Sequence, residues 1–232
     1  MRRIMTAGLV ALATACSSGG DDSCVVDTTY APTINPADFV ATVDNPLYPL
    51  VPGTVHTFEG GGEVINVTVT ANTKVILGVT CVEVRDTVTV GGVVTEDTLD
   101  WFAQDVDGNV WYFGEDTKEY EGGVVVSTTG SWEAGVNGAK PGYAMKAAPA
   151  VGDAYRQEYL ACEAEDHGEV LATDESVTVP AGTYDHCVKT HDFTPLEPAL
   201  NEQKYYCPGV GVALEVNVNT GVRTELTSVT TS

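Results

Sequence analysis

Several places in this 232-residue sequence carry residue types that do chemistry. The richest is Glu165-Asp166-His167, with Glu169 just behind it and His186, His191, Glu197 and Glu202 later in the chain. Carboxylates and imidazoles ligate transition metals and move protons near neutral pH. If these groups converge in space, they make a metal-assisted hydrolase with Glu165, Asp166 and His167 as its catalytic residues. His186 and His191 are five residues apart, however, so on one continuous strand they point to opposite faces. A second place is DVDGN, where Asp105, Asp107 and Asn109 set oxygen ligands at alternate positions, as calcium loops do. An EF-hand loop has glycine sixth and Glu twelfth; counted from Asp105, the glycine is fourth and the twelfth residue is Asp116. The same letters satisfy a tight hairpin. No cofactor is expected, with a divalent cation the one candidate. GxSxG elbows, HExxH, Walker loops and GxGxxG fingerprints are all missing from the sequence.

The cysteines give an address. Met1 to Cys16 read MRRIMTAGLVALATAC: two arginines, about twelve apolar or small residues, then small residues before a cysteine. That run is too short for a permanent membrane-spanning helix and has the layout of a secretory signal. Its last four residues resemble a bacterial lipobox, whose cysteine is acylated, with palmitate among the chains, and becomes the new N-terminus. The expected product is a lipoprotein held in the bacterial cell envelope through Cys16, on its periplasmic or surface side. Acyl chains anchor without any other membrane element. Exported cysteines are usually bridged, and Cys24, Cys81, Cys162, Cys187 and Cys207 remain. Five is odd, so one thiol is left over. Cys24, in the tether, is the candidate, leaving Cys81, Cys162, Cys187 and Cys207 for two bridges of open connectivity. No spacing suits a structural zinc.

The net charge of -22 narrows the partners. Such a field repels phosphate backbones and anionic surfaces, so nucleic acid is not expected. The chain divides into a signal peptide (1–15), a lipidated cysteine with a flexible SSGGDDS-type linker (16–31) and one antiparallel β domain (32–232). Residues 32–53 are proline-rich and read as an extended lead-in. From His56 onward, β-branched residues dominate and turn signals recur about every ten residues, which predicts an all-β fold. Residues 135–150 have room for a short helical turn.

Two hairpins can be registered by hand. Gly91-Gly92 is a two-residue turn signal, and pairing outward from it sets Val90 opposite Val93, Val84 opposite Leu99 and Val82 opposite Trp101. It also sets Asp86 against Asp97 on the same apolar face, an opposition of like charges that calls for a cation, a shared proton or a wet rim. A turn at Asp107-Gly108 adds Tyr112 to the face of Trp101 and sends Phe102, Trp111 and Phe113 to the other. Near the C-terminal end, Val210, Val212, Leu214, Val216 and Val218 alternate with Gly211, Ala213, Glu215 and Asn217. The expected architecture is a single curved antiparallel meander forming an open or closed barrel.

NPLYPLVPGT (45–54), DWFAQDVDGNVWYFGEDT (100–117), VTVPAGTYDHCVKT (177–190) and KYYCPGVGVALE (204–215) together resemble a group of uncharacterised β-rich bacterial envelope proteins, many of them lipoproteins. The VPAGTY…C and YYCPGVG segments also look like parts of lipoproteins with a LolA-like curved sheet. That resemblance implies a concave sheet that holds acyl chains or other hydrophobic ligands, or docks a protein partner, and it implies no catalytic residues. The expected mechanism is therefore non-enzymatic burial of a hydrophobic ligand against Val82, Val84, Leu99, Trp101 and Tyr112. The alternatives are the hydrolase above and a purely structural surface protein.

Overall fold

The computed structural model describes residues 26–232. Cys16, Cys24 and the signal sequence lie outside the described residues. After one 3-10 turn at Pro36–Asp38, which Asn35 caps by accepting from the Ala37 N–H, all regular structure is strand. The strands begin with β1 (Phe39–Val40), β2 (Thr54–Gly60), β3 (Glu63–Ile76), β4 (Val79–Val90) and β5 (Val93–Asp105). Next come β6 (Val110–Glu121), β7 (Val124–Ser127), β8 (Trp132–Glu133), β9 (Lys140–Met145), β10 (Ala154–Arg156) and β11 (Glu158–Tyr159). The last five are β12 (His167–Val179), β13 (Gly182–Phe193), β14 (Asn201–Cys207), β15 (Gly211–Asn217) and β16 (Arg223–Thr231). The segment 135–150 thus holds β9 instead of a helical turn.

All sixteen strands belong to one antiparallel sheet, ordered β10-β12-β13-β14-β15-β16-β2-β3-β4-β5-β6-β9-β11, with β1 on β5 and β7 and β8 on β6. The sheet curls into a nearly closed barrel with one unsealed seam, where β9 and β10 lie close without pairing. Three of the tight reversals are glycine pairs, at 61–62, 91–92 and 122–123, all with positive φ, which suits two-residue hairpins. Residues 27–30, expected in the flexible linker, strap the seam. The Asp27 N–H donates to Tyr159 Oη (2.6 Å), Arg156 donates to the Asp27 carboxylate (3.0 Å), Tyr30 Oη donates to Pro141 O (2.7 Å), and Lys140 donates to Tyr30 O.

Bulges overturn the simple register. Val90 does face Val93, but Thr95 is an extra residue, so beyond it Val84 faces Asp100 and Val82 faces Phe102. A one-residue slip exchanges the two faces of a strand. Leu99 and Trp101 therefore lie outside, across from Arg85 and Glu83, while Asp100 and Phe102 lie inside. Asp86 and Asp97 do not oppose each other: Asp86 is inside, across from Thr98, and Asp97 is outside on Arg85. The DVDGN reversal runs from Asp105 to Asn109 and is longer than two residues, so Tyr112 joins the face of Phe102 and not that of Trp101. A further bulge at Ala213 breaks the alternation of β15 and brings Glu215 opposite Lys204.

Candidate functional site

The five residues expected to share one apolar ligand face are split by the sheet. Val82, Val84 and Tyr112 point inward, whereas Leu99 and Trp101 point outward. The inside is filled: Phe102 stacks on Tyr112 at 4.7 Å, Tyr48 packs on Phe102 and Tyr206, and Trp132 meets Tyr112 edge-on. An apolar hollow between Tyr48, Leu50, His56, Phe58, Val84 and Val212 has a volume of ≈ 60 Å³. Small-molecule pockets span about 300–1,000 Å³, so this hollow is too small for an acyl chain.

The interior instead holds two groups of carboxyls. In one, Lys204 Nζ lies 3.2 Å from Asp192, 3.9 Å from Glu202 and 4.0 Å from Glu215, all buried. Gln157 Nε2 (3.0 Å) and Thr190 Oγ1 (2.6 Å) also donate to Asp192. In the other, Tyr112 Oη sits 2.5 Å from Asp100 Oδ1 and 3.0 Å from Glu115 Oε2, and Trp132 Nε1 donates to Glu158 Oε2 (2.7 Å). None of these three carboxyls forms an ion pair with a described residue. Burial raises Asp100 to about 7 and Glu115 to about 8, and drives Glu158 well above the carboxyl range. One phenol has one proton, so two hydrogen bonds at Tyr112 need one carboxyl to be protonated and to donate back.

Open concavities lie outside the barrel. One, of ≈ 620 Å³, is lined by Lys74, Trp101, Asp116, Ser131, Glu133 and Asn137, with Glu115 and Trp132 behind and Leu160, Ala161 and Glu163 as a rim. A second, of ≈ 470 Å³, is lined by Thr70, Asn72, Glu83, Arg85, Asp97, Leu99, Lys118 and Tyr120. Leu99 of the second is paired with Asp116 of the first, so the two adjoin as one groove across β3–β6. Gly114 lets β8 approach here: its φ is 151°, and a Cβ would lie 2.5 Å from the Trp132 carbonyl oxygen. Trp101 is buried in the groove floor with Lys74 Nζ 3.5 Å above its ring, and its Nε1 has no hydrogen-bond partner.

The other expected groups disperse. Glu165 accepts from the Cys162 N–H (2.8 Å) and lies 3.6 Å from Arg156. His167 Nδ1 is 2.9 Å from the Glu165 carbonyl, and its ring stacks on Phe193, as does that of His191. His186 pairs with Asp174 at the surface. Among the described residues, no three His, Cys, Asp or Glu side chains are placed to hold a metal ion. Asp105 is occupied by its own turn: it accepts from Asp107 N, Asn109 N, Asn109 Nδ2 and Trp111 Nε1 at 2.8–3.0 Å. Asp107 and Asn109 do not converge on it as ligands; Asn109 is a donor to it.

Cys187 and Cys207 form a disulfide between neighbouring strands. Cys162 is also disulfide-bonded, without a partner among the described residues. Cys81, expected in a bridge, is a free buried thiol that donates to Val79 O, and burial pushes it up to about 12. Register alone could not single it out, because strand cysteines are paired by cross-strand geometry that the bulges set.

No family model matches the chain, and no curated protein does. Among solved structures, the crystal structure of a candidate lipoprotein from Parabacteroides distasonis aligns with 80% of this chain and 99% of that chain, at 14% identity and a TM-score of 0.43. At that level the alignment carries no argument about fold detail or function.

Proposed function

We propose that this chain is an exported lipoprotein, acylated at Cys16, whose barrel is a non-enzymatic binding module with its ligand site on the outer groove of β3–β6. The lipobox-like sequence supports the anchor and the envelope location. One observation carries the binding site: adjoining concavities of ≈ 620 and ≈ 470 Å³ lie outside, against hollows of ≈ 60 and ≈ 20 Å³ inside. Leu99 and Trp101 keep the ligand-facing role expected of them, on the outer face, while Val82, Val84 and Tyr112 serve as core. The interior burial of a hydrophobic ligand implied by the LolA-like resemblance finds no room.

The three tryptophans make the test. Trp101 and Trp132 line the groove, whereas Trp111 donates to Asp105 away from it. In a water-soluble fragment screen read by indole N–H resonances, hits are expected to shift Trp101 and Trp132 and leave Trp111 unmoved. Hits confined to Val84, Phe102 and other interior residues would refute the groove. Acylation is checked separately by palmitate labelling in bacteria, which Cys16→Ser is expected to abolish.

A further inference from the structure

The charges on the groove floor already satisfy one another. Arg85 makes a bidentate pair with Asp97 (2.7 Å through Nε and through Nη2), Lys118 meets Asp116 (2.7 Å) and Lys74 meets Glu133 (2.7 Å). Glu83 accepts from Thr70 Oγ1 and Asn72 Nδ2, both at 3.0 Å. Between these groups lie the half-buried apolar surfaces of Leu99 and Tyr120, with Trp101 buried beneath Lys74.

Such a floor discriminates among ligand classes. An anion meets a chain of net charge -22 and no unpaired cation among the groove residues. A cation must break an existing bidentate or ammonium pair to reach a carboxylate. A hydrocarbon would desolvate three ion pairs with nothing to replace their water. A neutral polyhydroxylated chain escapes all three penalties. Its hydroxyls both donate and accept, so they add to the free lone pairs and N–H groups of pairs that stay intact, while its C–H faces rest on Leu99 and Tyr120.

We propose that the groove across β3–β6 binds a neutral oligosaccharide along its length; this rests on the groove being the binding site. The test uses the mature chain with three probe classes at millimolar concentration: neutral hexasaccharides (maltohexaose, cellohexaose, chitohexaose), spermine, and decanoate. At least one hexasaccharide is expected to shift the Trp101 and Trp132 indole signals. Its affinity should change less than about twofold between low and high salt, since no ion pair is exchanged on binding. Arg85→Gln, at an exposed position that folding tolerates, is expected to weaken it about tenfold, the loss of one charge-assisted hydrogen-bonding group. Spermine or decanoate shifting the same tryptophans with no hexasaccharide bound would overturn the ligand class and keep the groove. Hexasaccharide shifts that spare Trp101 and survive Arg85→Gln would overturn the groove itself. Silence from all three hexasaccharides rejects the oligosaccharide.

Discussion

The two buried carboxyl clusters solve the same electrostatic problem with different currencies. Around Lys204, three carboxylates share one ammonium and the neutral donors of Thr190 and Gln157. Around Tyr112, Asp100, Glu115 and Glu158 have no cationic partner among the described residues, and burial raises the titration of all three. Burial is equally deep in both clusters; the difference is that the register delivers a lysine to one of them. Lys204 stands opposite Thr190 on one side and Glu215 on the other, and only the bulge at Ala213 brings Glu215 there. The cluster without a lysine ought to respond to pH, and the one around Lys204 to mutation.

The largest expected effect comes from removing the ammonium. Lys204→Met should cost about 3–5 kcal/mol in urea unfolding at neutral pH, because it removes the ammonium 3.2 Å from buried Asp192 and sets an apolar side chain in its place. A loss below about 1 kcal/mol would mean that the cluster is wet and the contrast false. Tyr112→Phe comes next. It removes the hydroxyl between Asp100 and Glu115, should cost about 1–3 kcal/mol, and should raise the titration of Asp100 further, since the phenol hydrogen bond lowers it now. Carbon-detected carboxyl NMR reads both.

The pH dependence follows from the same cluster. Asp100 rises from 3.8 to about 7 and Glu115 from 4.5 to about 8 on folding, with burial the main cause. Between those limits the folded chain binds more protons than the unfolded one, so stability falls as pH rises. The contribution is complete below about pH 4 and is lost as pH climbs through about 7 and 8. Unfolding curves for Asp100→Asn/Glu115→Gln should be flatter across that window; an unchanged slope would assign the dependence elsewhere. The smallest effect belongs to the surface. Arg85→Ala breaks a bidentate pair whose arginine side chain is 54% exposed, and should change stability by less than about 1 kcal/mol.

The sequence carried the class of fold and the turns more faithfully than the faces. Glycine pairs and β-branched runs announce antiparallel hairpins because their backbone demands are local. Which face a residue takes depends on whole-strand register, and one unpaired residue, Thr95, moved Trp101 from the expected interior to the groove floor. Nothing about a threonine in a threonine-rich strand marks it as a bulge. The Lys204 cluster is hard to read for a related reason: Glu202 is grouped by its type with the Glu165–His167 stretch, and nothing local marks Lys204 or Glu215 as buried, since charged residues are seldom buried. Asp86 opposite Asp97 was the one strained feature that hand-made register produced, and that strain was the available warning. The Glu165–His167 stretch gathered reactive residue types in sequence, but an ion pair to Arg156 and a ring stack on Phe193 draw the side chains apart.

The place of β16 in the sheet has a consequence for biogenesis. Its residues lie between β15 and β2, and this β16–β2 ladder joins the meander that contains β3–β6 to the one that contains β12–β15. Of the sixteen strands it is the latest to be synthesised, yet its partner β2 is among the earliest. Until β16 arrives, β15 and β2 each present a bare edge in addition to the edges at the seam, and bare edges invite pairing with foreign strands. Closure over so long a separation in sequence is slow. The interval between synthesis of β2 and that of β16 is therefore when this chain is most open to aggregation, and synthesis arrested just before Arg223 should yield aggregates rather than a smaller barrel.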